Sequence, residues 1–194
     1  MLYIKQLCLI IYIIITILFT VGYASQPILE TSQIAQTPTN ADGTPSSTIG
    51  TISTVSSSFY IGKVSNIISN IQNTYSSSND YSSVSNNLNV LFQTLLYTCI
   101  AITILLVVGI LLGYFGLKMI SKLIFLLAMI LMIGVFIVIQ VVILTDSFIS
   151  KITSNGINWN SISSTSTSNG TGYYLILAST VLMIITYVIY AFLA

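Results

Sequence analysis

The chain has 194 residues, 55% of them hydrophobic and 5% charged, with a formal net charge of +1 and no histidine. Its mean hydropathy of +0.96 excludes an ordinary soluble globule, because one core cannot absorb that much apolar side chain. Every cation is a lysine, and five scattered lysines make no field that attracts phosphate backbones, so nucleic acid is not an expected partner.

The first apolar run, Leu7 to Tyr23, follows Lys5 and precedes "VGYASQP". It has two readings: residues 1–24 are a secretory signal peptide, with Gly22 and Ala24 supplying the small residues of an exit near Ala24 or Ser25, or they are a retained first span. In both cases Lys5 stays cytoplasmic and the chain from about Ser25 emerges outside.

Residues 25–58 hold all three prolines, Pro27, Pro38 and Pro45, among Ser, Thr, Gln, Asn and Gly. Such a composition cannot bury enough apolar surface to offset its ordering entropy, so a disordered outer stalk is expected, with hydroxyls available to O-linked sugars.

The pattern changes over residues 59–94. Ile61, Val64, Ile68, Ile71 and Tyr75 recur in steps of three and four, the seam of an amphipathic helix and a candidate surface for self-association or a partner. Tyr81, Val84, Leu88, Leu91 and Leu95 repeat that spacing after the breaker "SSSND". The reading is an outer helical hairpin whose second arm runs on into a membrane span.

A spanning helix needs about 20 apolar residues. Residues 95–117, 123–145 and 173–194 meet that length. As one helix, Leu95 to Leu144 would extend roughly 75 Å and carry Lys118 and Lys122 into lipid, at about 2.5 to 3.5 kcal/mol each near the bilayer centre. The chain must therefore turn, and residues 118–122 are expected as a cytoplasmic turn with the two lysines as topology determinants. Gly113 and Gly116 loosen the backbone there, and Tyr114 and Phe115 suit the membrane interface. Gly109 and Gly113 form a G-x-x-x-G pattern, a candidate for close helix packing within the chain or between copies.

Residues 146–172 then fall outside. They contain Asn155-Gly156, a hairpin-turn signal, and Trp159, a candidate interface anchor. Asn169-Gly170-Thr171 is the chain's glycosylation sequon, close to the last span.

The chemistry of catalysis is missing. Without histidine there is no Ser/His/Asp triad and no histidine metal site, and Glu30, Asp42, Asp80 and Asp146 share no spacing that pairs them as acid and base. Cys8 and Cys99 lie in apolar runs, so no outer disulfide framework forms. No enzyme activity, cofactor or metal is expected. Gln140 is the notable polar side chain of the spans, suited to an interhelical hydrogen bond.

The loop proportions, long first and short second, resemble the claudin-type four-span architecture if the first run is retained. That family's first outer loop carries a tryptophan-containing motif and a cysteine pair, which residues 25–94 lack, so no function is carried over. Outer segments solubilised by neutral Ser, Thr and Asn are also similar to membrane proteins of thermoacidophilic archaea and their viruses, although an AT-rich genome accounts for the same composition.

The resulting expectation is an all-α membrane protein: a bundle of three spans plus a signal peptide, or of four spans, with an outer helical hairpin. Its role is structural or interactive, in an envelope, adhesion or assembly complex. The alternative is an oligomeric channel or a secretion-machine subunit. Its partners are the lipid bilayer and a second copy or another membrane protein.

Overall fold

The computed structural model describes residues 2–35, 54–63, 81–143 and 162–193. Four helices in it are long and apolar enough to cross a membrane. They are α1 (Leu2–Ala24), α2 (Tyr81–Tyr114), α3 (Lys118–Val138), which continues as a π-helical turn over Ile139–Ile143, and α4 (Thr171–Leu193). Each packs on two neighbours in the cyclic order α1, α2, α3, α4. Successive helices run antiparallel, so the start of α1, the α2–α3 turn and the end of α4 share one end of the bundle.

The interior follows one spacing in all four helices. Buried positions include Cys8, Tyr12, Ile15, Phe19 and Gly22 on α1, and Phe92, Leu95, Cys99, Ile102, Leu106, Gly109 and Gly113 on α2. On α3 they are Ser121, Phe125, Ala128, Met132 and Val135, with Ile139 in the next turn; on α4, Tyr173, Ile176, Thr180, Met183, Thr186 and Tyr190 are among them. Steps of three and four place these residues on a 3.5-residue repeat, the spacing at which helix side chains interlock over a long antiparallel contact. The outward faces carry Ile, Leu and Val that are half exposed, such as Ile17, Ile104, Ile130 and Ile185. Only hydrocarbon solvates such a surface well.

α2 is the longest element. Its 34 residues extend about 51 Å, well beyond a hydrocarbon core of about 30 Å. The expected second arm of the outer hairpin is therefore one continuous helix with its span. The first arm is different where it is described: Ile61–Lys63 is a 3-10 turn, with Ile61 fully buried against the ends of α1 and α2. Val64, Ile68, Ile71 and Tyr75 lie outside the described residues, as do Asn155 and Trp159.

The chain reverses over Phe115–Leu117, slightly before the expected 118–122, and Lys118 begins α3. The cause is Gly116, at φ +86°. Its N–H bonds the Gly113 carbonyl (3.3 Å) and the Leu117 N–H bonds the Leu112 carbonyl (3.0 Å). This is a Schellman ending, in which a left-handed residue just past the helix lets two following N–H groups satisfy terminal carbonyls.

The helical body has a β-structured addition at the opposite end. β1 (Leu29–Ala35) lies between β2 (Thr54–Phe59) and β3 (Ile162–Asn169), antiparallel to both. β1 and β2 fall within residues 25–58, where composition leads one to expect a disordered stalk, and β3 falls within the expected loop 146–172. Ser and Thr, which could not build a core, are compatible with a hydrogen-bonded ladder once the flanking helices bring the strand ends together.

Gly116→Ala tests the turn. No atom lies within 4 Å of a Cβ built there, so the expected loss of about 1 to 2 kcal/mol is purely conformational. Unfolding in mixed micelles would measure it.

Candidate functional site

Two layers hold the helices together, one at each end of the bundle. At the turn end, Tyr12 of α1 stacks on Phe125 of α3, with ring centroids 3.7 Å apart, and Tyr190 of α4 meets both rings edge-on at 5.7 and 5.6 Å. The Ser121 hydroxyl donates to the Gly109 carbonyl of α2 (2.9 Å) and lies 3.3 Å from the Tyr190 hydroxyl. All four helices thus contribute to one aromatic and hydroxyl cluster. The Tyr12 hydroxyl is buried without a hydrogen-bond partner among the described residues.

Gly109 and Gly113 face this cluster from α2. A Cβ on Gly109 would lie 2.7 Å from the Phe125 ring, and one on Gly113 would lie 3.0 to 3.2 Å from Leu9, Ser121 and Tyr190. The two glycines therefore admit α3 and α1 within this chain. The glycine on an outward helix face is Gly134, which has open space around it.

The two lysines separate in role. Lys118 is exposed at the start of α3. Lys122 is partly buried, and its ammonium donates to the Ala191 carbonyl (2.9 Å) while standing 5.8 Å from the Tyr190 ring centroid. A cation is favourable against the unsatisfied carbonyls at a helix C-terminus, so Lys122 ties α3 to the end of α4. Sequence reading assigns Lys122 to orientation alone; its partner is 69 residues away and carries no local signal.

At the other end, glycines set the contact between α1 and α4. A Cβ on Gly172 would lie 2.6 Å from the Gly22 carbonyl and 2.8 Å from that of Gln26, and one on Gly22 would lie 3.1 Å from Ile176 and Leu175. A Cβ on Gly170 would run into the Pro27 carbonyl. The close approach lets the Gly172 N–H reach the Pro27 carbonyl (2.8 Å) and the Gly170 N–H reach that of Ile28 (3.1 Å). Gly22, legible as a processing signal, is here a packing residue. Asn169 is exposed, closing β3 directly before this contact.

Polar side chains between the two layers bond locally. The Thr16, Thr103 and Thr180 hydroxyls donate to the carbonyls of Tyr12, Cys99 and Ile176. Thr103 also lies 3.3 Å from the Tyr23 hydroxyl, linking α2 to α1. Gln140, in the π-helical turn, accepts from the Tyr173 hydroxyl (2.8 Å). Among the described residues no cluster of three His, Cys, Asp or Glu side chains forms that could hold a metal ion. Cys8 and Cys99 are free and buried.

These features define a helical, multi-pass type of membrane protein. Comparison with protein-family models, curated protein sequences and solved structures finds no match.

The paired glycines give a discriminating test. Gly172→Ala puts a methyl against fixed backbone and should lower bundle stability, whereas Gly134→Ala should be neutral or gain up to about 1 kcal/mol from helix propensity. Thermal unfolding in detergent would rank the two.

Proposed function

We propose that the protein is a membrane-resident scaffold: a four-span anchor that holds a neutral, Ser/Thr-rich surface outside the membrane for an envelope, adhesion or assembly complex, with no reaction of its own. The observation that carries this reading is the filled interior. The hydroxyls of Thr16, Thr103, Ser121, Ser179 and Thr180 are used by nearby carbonyls, and the described charged residues Lys5, Glu30, Lys63, Lys118 and Lys122 all stand toward the ends of the bundle or beyond it. Intramembrane charges mark ion and proton paths, and a bundle of this composition offers none through its own axis.

In this reading α1 is a retained span, because it supplies Tyr12 to one packing layer and Gly22 to the other. Residues 25–94 and 146–172 lie outside, and the α2–α3 turn with Lys118 and Lys122 is cytoplasmic, in keeping with the tendency of lysine to remain on that side. Coupled apolar faces and a membrane-spanning base suit a protein whose work is to position others.

Sidedness is tested by single cysteines in intact cells. Asn169→Cys should react with an impermeant maleimide, and Lys118→Cys should react only after permeabilisation. Reaction at 118 in sealed cells would invert the scheme. Purified protein in liposomes should pass no ions; sustained flux would replace the scaffold with a channel.

A further inference from the structure

The three-stranded sheet has an unusual distribution of charge for its topology. Its order is β2-β1-β3, so β2 and β3 are the two edges among the described residues. The one charged residue in the sheet is Glu30, on the central strand. β2 reads "TVSSSF" and β3 reads "ISSTSTSN", with no charge and no proline in either. Sheet edges normally carry lysine, proline or a bulge that prevents pairing with another chain. Here the register shift lies at Ile34/Ala35, at the far end of β3, and leaves Ser164–Asn169 regular.

The register matches the two edges to each other. Leu29 pairs with both Phe59 and Asn169, and Ile34 pairs with both Thr54 and Ser164. The regular stretches of β2 and β3 therefore cover the same rungs of β1 and end at the same level above the bundle. Both are antiparallel to β1, so they run in the same direction. The level is fixed at the base, where the Gly170 and Gly172 N–H groups bond the Ile28 and Pro27 carbonyls.

We infer that β2 of one copy pairs with β3 of a second copy, side by side in the same membrane, to make a continuous sheet across protomers. The occupant of each edge is the other edge of the same protein. Copies that share a bilayer share one orientation, so β2 and β3, which both run toward the bundle, meet in parallel at matched height. Pairing β2 with β2, or β3 with β3, in the antiparallel sense would require one copy to be inverted. Neutral edges bring no like charges together. A head-to-tail contact of this kind leaves one edge free on each outermost copy, so it propagates into a row or closes into a ring. The inference deepens the scaffold reading, because it presumes copies anchored alike and names what the outer surface binds.

Ser57 and Thr167 both pair with Thr31, and so stand on one rung. Full-length chains carrying Ser57→Cys and Thr167→Cys, one substitution each, are co-expressed with distinguishable tags and oxidised in native membranes. A mixed disulfide dimer is expected, and each variant alone should give little. Equal cross-linking of a single variant with itself, or no cross-linking beyond that of the unsubstituted chain, would overturn the pairing. Adding Ser56→Lys to the Ser57→Cys chain should abolish the mixed dimer while helical circular dichroism and the labelling at position 118 stay unchanged. A failed cross-link with the sidedness intact rejects the edge pairing alone, whereas inverted sidedness rejects the scaffold topology.

Discussion

Lipid chains are as apolar as leucine, so side chains in a bilayer gain little by turning from lipid toward one another. The bundle must therefore be held by contacts that hydrocarbon cannot imitate: close backbone approach, interlocked shapes and hydrogen bonds between helices. The structure concentrates these at its two ends. Gly22 and Gly172 bring the backbones of α1 and α4 together at one end, and the Tyr12, Phe125 and Tyr190 rings with Ser121 join all four helices at the other. Between them the 3.5-residue repeat keeps the same face of each helix inward along its length.

The parts outside the helices depend on that arrangement. The sheet has no apolar layer of its own composition, and its strands converge because the end of α1 and the start of α4 are already fixed by glycine contacts and two backbone hydrogen bonds. Ile61 and Gly62 settle on the same platform, with a Cβ on Gly62 at 2.8 Å from the Ala24 carbonyl. Lys122 performs the corresponding task at the turn end, where its ammonium closes the α3–α4 contact. A lysine at the end of a bundle can thus join two helices, because its long stem carries the ammonium to a neighbouring helix terminus.

The helices of the membrane body were legible in the sequence because length and charge suffice to find them: four apolar runs, and a lysine pair that no single long helix could carry through lipid. Their inward faces were not legible in the same way. A span apolar all round has no polar side to contrast with, so Phe125 and Leu127 look alike until a neighbour is known. Gly109 and Gly113 were visible as a pattern, but which helix they admit depends on Phe125 and Tyr190, far along the chain. The strands escaped for a different reason. "TVSSSF" and "ISSTSTSN" lack the apolar alternation that marks a half-buried strand, and β3 pairs with a strand that begins at Leu29, a partner of Asn169 140 residues away, through a register that composition does not encode.

Both packing layers lose a member without α1, so the four-helix bundle requires it as a permanent wall. The most direct measurement is sequencing of the amino-terminal end of the chain extracted from its native membrane. Residues Tyr3–Ala24 should be found covalently continuous with the sheet and the remaining spans. A membrane-resident chain that begins near Ser25 would contradict the packing of Tyr12 and Gly22 and the four-helix architecture built on it.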